Sequence, residues 1–137
     1  MDRIVDASYK NSVSVQVKTI DTILGTTVPL ALKIDVEGYE KYALEGATKL
    51  LSNPNFKVLI IELNNSGKQY KVNDQDIYTT VLGFGFKPYH YDPKKRELKA
   101  LNTYNINQFN TIFVRDLEFV NSRVIASSII KINNHYF

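Results

Sequence analysis

The chain has 137 residues, a size typical of one domain built around one core. Hydrophobic residues make up 44% of it and charged residues 23%, which excludes a disordered, collagen-like or coiled-coil chain. The formal net charge is only +3, so the composition does not indicate a dedicated nucleic-acid binder. The chain contains no cysteine, which excludes disulfides, thiolate metal sites and a cysteine nucleophile. We predict a single domain over residues 1–137 that does not bind nucleic acid.

No segment of the sequence has the long apolar run that predicts a membrane span. The best apolar run, Val58 to Ile61, ends at Glu62 and falls far short of the roughly 18 residues that cross a bilayer. The first residues also lack the charged and then apolar pattern of a signal peptide. We therefore predict no membrane partner and a cytoplasmic protein.

The first third of the chain predicts a strand, a short helix, a second strand and a longer helix. Val13–Val17 alternates apolar and polar residues, which is typical of a half-buried strand. Thr19 is a candidate N-cap for one or two helical turns that end at Gly25. The apolar run Leu30–Ile34 predicts a strand of a parallel sheet. Apolar residues at helical spacing then predict a helix from about residue 39 to 51.

The remaining sequence predicts further strands around one more helix. Phe56–Glu62 is the most apolar and β-branched segment, which indicates a central strand, and Asn73 is a candidate N-cap for the helix that follows. Three later segments read as strands: Phe86–Tyr91, Glu97–Leu101 and Thr111–Val114. The tail from residue 121 fits either a strand or an amphipathic helix. The order predicts an α/β fold whose sheet is mainly parallel with an antiparallel end strand pair.

Three acids follow predicted strands, at the edge where open α/β sheets bind ligands. Asp35 and Glu37 flank Val36 ahead of Gly38, and Glu62 ends the central strand. The first two carboxylates could serve as a base and its orienting group, bind a cation, or simply cap the loop and start the helix. Glu62 could line a pocket or begin a loop.

The other polar residues give weaker indications of a functional site. His90 lies between tyrosines, and no spacing resembles a zinc site or a catalytic triad, so a structural role is the simpler interpretation. The run Lys94-Lys95-Arg96 could contact phosphate as part of a nucleotide-binding protein, but a solvated hairpin tip also explains it.

The segment Leu32-Lys33-Ile34-Asp35-Val36-Glu37-Gly38-Tyr39-Glu40, with Leu44-Glu45-Gly46-Ala47 after it, resembles the signature of the FkbM family of S-adenosylmethionine-dependent methyltransferases. Four further segments fall in the family's order: Val17-Lys18-Thr19-Ile20-Asp21, Ile60-Ile61-Glu62, Gly85-Phe86 and Asn110–Val114. The resemblance covers about residues 13 to 115. It implies part of a class I methyltransferase, Rossmann-like fold in which Leu30–Ile34 is the fourth strand and Phe56–Ile61 the fifth.

The same resemblance implies O-methyl transfer from S-adenosylmethionine to a small-molecule or sugar hydroxyl. It makes Asp35 and Glu37 the catalytic candidates, with Asp35 aligning or deprotonating the acceptor. Glu62 and Asn64 become substrate-binding candidates, Lys33 and Gly38 cofactor-binding candidates. No metal is implied.

The family's glycine-rich cofactor loop has no counterpart before residue 13, so the resemblance covers only the C-terminal half of the family's domain. The chain is then either a methyltransferase that is inactive or needs a complementing half, or a non-catalytic α/β interaction domain. Without the preceding strands, Leu30–Ile34 forms a sheet edge, and exposed edges pair with other chains. We expect Val13–Val17, the tail, a second copy or a complementing chain to cover this edge.

Overall fold

The computed structural model describes residues 12–132 and 135–136. The helices of this part are α1 (Ile20–Leu24), α2 (Glu40–Glu45), α3 (Thr48–Ser52), α4 (Asp74–Gly83) and α5 (Leu117–Ala126), with a 3₁₀ helix at Ser66–Tyr70. The strands are β1 (Ala31–Ile34), β2 (Val58–Glu62), β3 (Lys87–Asp92), β4 (Glu97–Ala100), β5 (Asn110–Val114), β6 (Lys131–Ile132) and β7 (His135–Tyr136).

The main sheet has five strands in the order β1-β2-β5-β3-β4. Only β1 and β2 pair in parallel, with Leu32 beside Leu59, while the other three pairings are antiparallel. The prediction of a mainly parallel sheet is therefore wrong, because β5 returns between β2 and β3 and separates strands that share a direction. The α/β class, the interior position of β2 and the antiparallel β3–β4 pair are confirmed.

The segment before β1 differs from the predicted strand. Residues 13–17 form no strand and are exposed, because no neighbouring strand completes their hydrogen bonds. The predicted helical turns after them are confirmed as α1. Thr19 Oγ1 accepts a hydrogen bond from Thr22 N at 3.1 Å, and the helix ends at Gly25, whose φ is 57°.

The predicted helix over 39–51 is divided into α2 and α3. The break lies at Gly46 and Ala47, where Gly46 O accepts a hydrogen bond from Asp21 N. The Asp21 carboxylate in turn accepts from the backbone N–H groups of Lys49 and Leu50, at 2.9 and 3.0 Å. Helix α1 therefore packs on the break and satisfies the first N–H groups of α3.

The core lies between the helices α2–α4 and one face of the sheet. Its fully buried members include Leu51, Leu59, Ile61, Val81 and Phe113. The Arg115 guanidinium donates to the carbonyls of Leu51, Asn53 and Phe84, where helices α3 and α4 end, and it lies 4.3 Å from the centre of the Phe86 ring. One side chain thus fixes two helix ends against the sheet.

The C-terminal tail, for which the sequence left two readings open, contains helix α5. Arg96 at the β3–β4 turn donates to the carbonyl and hydroxyl of Ser127, both at 2.6 Å, and so holds the end of α5 beside the hairpin. None of the helices in the described ranges is long and apolar enough to cross a membrane.

Candidate functional site

Three carboxyl groups meet at the carboxyl ends of β1 and β2. The parallel register places Ile34 beside Ile61, so Asp35 and Glu62 follow side by side. One carboxylate oxygen from each of Asp35, Glu37 and Glu62 lies within 4.8 Å of the others. The structure therefore brings together three of the six residues that the sequence proposed, at the edge where α/β sheets bind ligands.

Lys33 brings a positive charge next to the three carboxyl groups of Asp35, Glu37 and Glu62, which we call the acid cluster. Its ammonium group forms an ion pair with the Asp35 carboxylate. That hydrogen bond, with help from a hydrogen bond to Glu62, holds the pKa of Asp35 below its ordinary value. Asp35 is therefore an ionised acceptor of hydrogen bonds or protons. Lys33, which the sequence predicts to bind a cofactor, lies next to the acid cluster and pairs with Asp35.

Glu62 has the opposite character. Partial burial raises the pKa of its carboxyl group, and the negative charges of Asp35 and Glu37 raise it further. The cluster therefore combines two carboxyl groups whose pKa values are shifted in opposite directions, downwards at Asp35 and upwards at Glu62.

The turn from Asp35 to Glu40 has a strained backbone. Glu37 adopts a φ of 53°, and Gly38 adopts 99°, a conformation that side chains rarely take. A Cβ atom on Gly38 would lie 2.6 Å from the carbonyl oxygen of Ser66. The glycine is thus required by close packing of two loops. Its predicted contact with a cofactor stays a prediction.

Glu40 holds this turn and was missed by the sequence reasoning. Its side chain is only 2% exposed, and its Oε1 accepts hydrogen bonds from Val36 N at 3.1 Å and Gly38 N at 3.2 Å. The signal was present as an acid two residues beyond a glycine, at the start of a helix, where acids satisfy free N–H groups. Glu40 therefore positions Glu37 by holding the backbone N–H groups of the residues on either side of it.

A groove of about 740 Å³ runs along the open face of the sheet next to the acid cluster; we call it the sheet-face groove. Ile60 and Ile112 form its apolar floor, and its polar lining includes Lys33, Gln108 and Asn110. The β2–β5 register pairs Glu62 with Asn110, so Glu62 lies next to a residue that lines this groove. The groove therefore combines an apolar floor with a lining of mainly polar and charged side chains.

A second groove of about 990 Å³ lies beside the other face of β1; we call it the β1 groove. Tyr39, Tyr42 and Tyr70 form an aromatic wall, with the Tyr39 ring 4.4 Å from Tyr42 and 5.4 Å from Tyr70. Lys33 lines both grooves. Lys33 and the acid cluster therefore lie between an aromatic groove and a more polar one.

The remaining sequence candidates take structural roles or line the sheet-face groove. Asn64 Oδ1 accepts a hydrogen bond from Ser66 N at 2.9 Å, which closes the turn after β2. His90 and Lys94 line the sheet-face groove. Arg96 holds the end of α5, and phosphate contact by the basic run stays a prediction.

Comparison with known proteins identifies one family. The family model described as "Methyltransferase FkbM domain" matches residues 3–88, which is more than half of the chain. Neither the curated proteins nor the solved structures contain a significant match. The matched residues include β1, β2, the acid cluster and the turn held by Glu40.

Proposed function

Because the chain belongs to the FkbM methyltransferase family, we propose that it supplies the acceptor side of an O-methyl-transfer site, with Asp35 as the proton acceptor. The acid cluster at the ends of β1 and β2 is the observation that carries this proposal. A hydroxyl must lose its proton as its oxygen gains a methyl group, and a positioned base takes up that proton. The ion pair with Lys33 holds the Asp35 carboxylate in place at the end of β1.

The sheet-face groove is the proposed acceptor site. Its amide and imidazole groups, from Asn110, Gln108 and His90, suit an acceptor rich in hydroxyls, such as a sugar. A hydroxyl bound at Asn110 would lie near the acid cluster, because Asn110 pairs with Glu62 in the β2–β5 register. Glu62 would orient that hydroxyl by a hydrogen bond, and Glu37 would support Asp35 from the turn.

Membership of a methyltransferase family points to S-adenosylmethionine as the methyl donor. Residues 12–132 and 135–136 do not form a glycine-rich cradle for it. The closest pair of glycines, Gly83 and Gly85, lies between α4 and β3, at the opposite end of the strands from the acid cluster. Gly38 packs against Ser66 instead of an open surface. The donor's cradle must therefore come from outside the residues described.

Two titrations test the proposal. Nuclear magnetic resonance titration with a panel of mono- and disaccharides should shift the amide signals of Gln108 and Asn110, while signals on α4 stay unchanged. Calorimetry with S-adenosylmethionine and S-adenosylhomocysteine then asks whether the chain binds the donor alone; micromolar binding corresponds to about −8 kcal/mol.

If transfer to a sugar is detected, Asp35→Asn should lower its rate by about 10²–10⁴-fold, the usual contribution of a general base. Asp76→Asn is the matched control, because Asp76 is an exposed acid on α4. Equal rates for the two variants would contradict the role given to Asp35.

Among the described strands, β1 pairs only with β2, and this favours a second candidate, a non-catalytic assembly domain. This function requires a stable fold and a strand-pairing partner but no methyl donor. Failure to bind any saccharide, together with no binding of S-adenosylmethionine up to millimolar concentration, would reject the first proposal and leave the second.

A further inference from the structure

One side of the sheet-face groove carries a positive charge that no described carboxylate pairs with. The Lys and Asp residues that line the groove are Lys33, Asp92 and Lys94. Lys33 pairs with Asp35, and the Asp92 carboxylate pairs with the ammonium group of Lys99 at 3.1 Å. Lys94 forms no ion pair with any residue in the described ranges. Of the charges that line the groove, that of Lys94 therefore remains available to a ligand.

The turn that bears Lys94 is held at both of its ends. Asp92 Oδ1 accepts hydrogen bonds from Lys94 N at 3.1 Å and from Lys95 N at 3.2 Å. Two residues after Lys94, Arg96 donates to the carbonyl and the hydroxyl of Ser127. Residues 92–99 contain four Lys and Arg residues and two acids, a net charge of +2. A fixed backbone thus presents positive charge beside the groove, so binding there costs little in loop ordering.

The β2 side of the groove has the opposite charge. It adjoins the acid cluster, because Glu62 pairs with Asn110, which lines the groove. Three carboxyl groups meet there, against the single ammonium group of Lys33. Strand β3, which leads into the Lys94 turn, lies two strands from β2, a distance of about 10 Å at the usual strand spacing. An anion is therefore repelled at one side of the groove and attracted at the other.

Given the proposed function, on which this inference rests, we propose that the acceptor is an anionic saccharide. Its carboxylate or phosphate pairs with Lys94, while a hydroxyl at its other end reaches the acid cluster. Carboxylate and phosphate share the chemistry that an ammonium group binds, a charge-assisted hydrogen bond. The charges also select the orientation of the ligand, because the reversed ligand would bring its anion against the acid cluster.

Titration of the full chain with matched probes, followed by nuclear magnetic resonance, tests this acceptor class. The probes are glucose, glucuronic acid and glucose 6-phosphate, and the last two separate a carboxylate from a phosphate as the anion. At least one anionic probe should bind about tenfold more tightly than glucose, because it gains a charge-assisted hydrogen bond. This preference should shrink as the salt concentration rises, since salt screens exposed charges.

Variants at Lys94 test whether this residue causes the preference. Lys94→Gln should abolish the preference and leave the binding of glucose unchanged. Lys94→Glu should make glucose bind more tightly than either anionic probe. Both variants should keep the fold, as circular dichroism will check, because the Lys94 side chain is exposed.

Lys87→Gln is the matched control. It removes the same charge from an exposed lysine at the opposite end of β3, so the preference for the anionic probes should stay intact.

Three results would overturn the anionic acceptor and leave the proposed function standing. The first is that glucose binds as tightly as both anionic probes, and the second is that the preference survives in Lys94→Gln. The third is that inorganic phosphate alone binds as tightly as glucose 6-phosphate, because the saccharide then contributes nothing. If no saccharide binds, the proposed function fails and the anionic acceptor fails with it.

Discussion

Replacing Glu40 with alanine should destabilise the protein more than its place in a short helix suggests. The carboxylate accepts two backbone hydrogen bonds, from Val36 N and Gly38 N, and is 2% exposed, so water cannot replace it without rearrangement. A hydrogen bond to a charged group contributes about 1.5–3 kcal/mol. We expect Glu40→Ala to lower the free energy of unfolding by about 3–5 kcal/mol.

Urea unfolding measures this loss directly. With a slope of about 2 kcal/mol/M, the midpoint should fall by about 1.5–2.5 M. Glu40→Gln keeps an acceptor oxygen and should lose less than Glu40→Ala. Glu45→Ala is the control on the same helix, because Glu45 is exposed and only pairs with Lys41 at 4.0 Å, a contact worth less than about 1 kcal/mol. A Glu40→Ala midpoint equal to that of Glu45→Ala would refute the assignment of these two hydrogen bonds.

Three further changes should have measurable effects. Gly38→Ala should unfold at a much lower urea concentration than Gly25→Ala, because both residues have positive φ but only Gly38 has a backbone atom, Ser66 O, within 2.6 Å of the added Cβ. Arg115→Met should cost about 2–4 kcal/mol in the same assay, since it leaves the carbonyls of Leu51, Asn53 and Phe84 without their charged donor. The raised pKa of Glu62 means that the folded state holds its proton more tightly than the unfolded state does, so stability should decline as the pH rises from the ordinary carboxyl value of 4.5 through the raised folded value. Glu62→Gln should remove this decline in pH-dependent unfolding, and an unchanged profile would contradict the shift.

Local patterns were enough to predict most of the elements. The apolar run of β2, the N-caps Thr19 and Asn73 and the position of Asp35 all depend on neighbours within a few residues, and the structure confirms them. The acid cluster was predictable for the same reason. Each of its residues follows a strand, and the direction of β1 and β2 brings those ends together.

The errors came from interactions between distant residues. The alternation of residues 13–17 is a strand signal, but alternation cannot supply a pairing partner. The break between α2 and α3 coincides with the packing of Thr19 and Asp21 on Gly46, about 25 residues away in sequence. The antiparallel return of β5 between β2 and β3 likewise depends on pairing across about 50 residues, for which the sequence of β5 itself gives no sign.

The placement of β5 also sets the order in which the chain can fold. β2 is an interior strand, yet one of its two neighbours is made of residues 110–114, near the end of the chain. Before those residues leave the ribosome, β1 and β2 form a two-stranded pair, which has little stability alone. Synthesis runs at about 5–20 residues per second, so this pair waits several seconds for its missing neighbour. A fragment that ends at residue 88 lacks β5. The residues that match the family model would then keep β2 without one of its two neighbouring strands and would remain a folding intermediate.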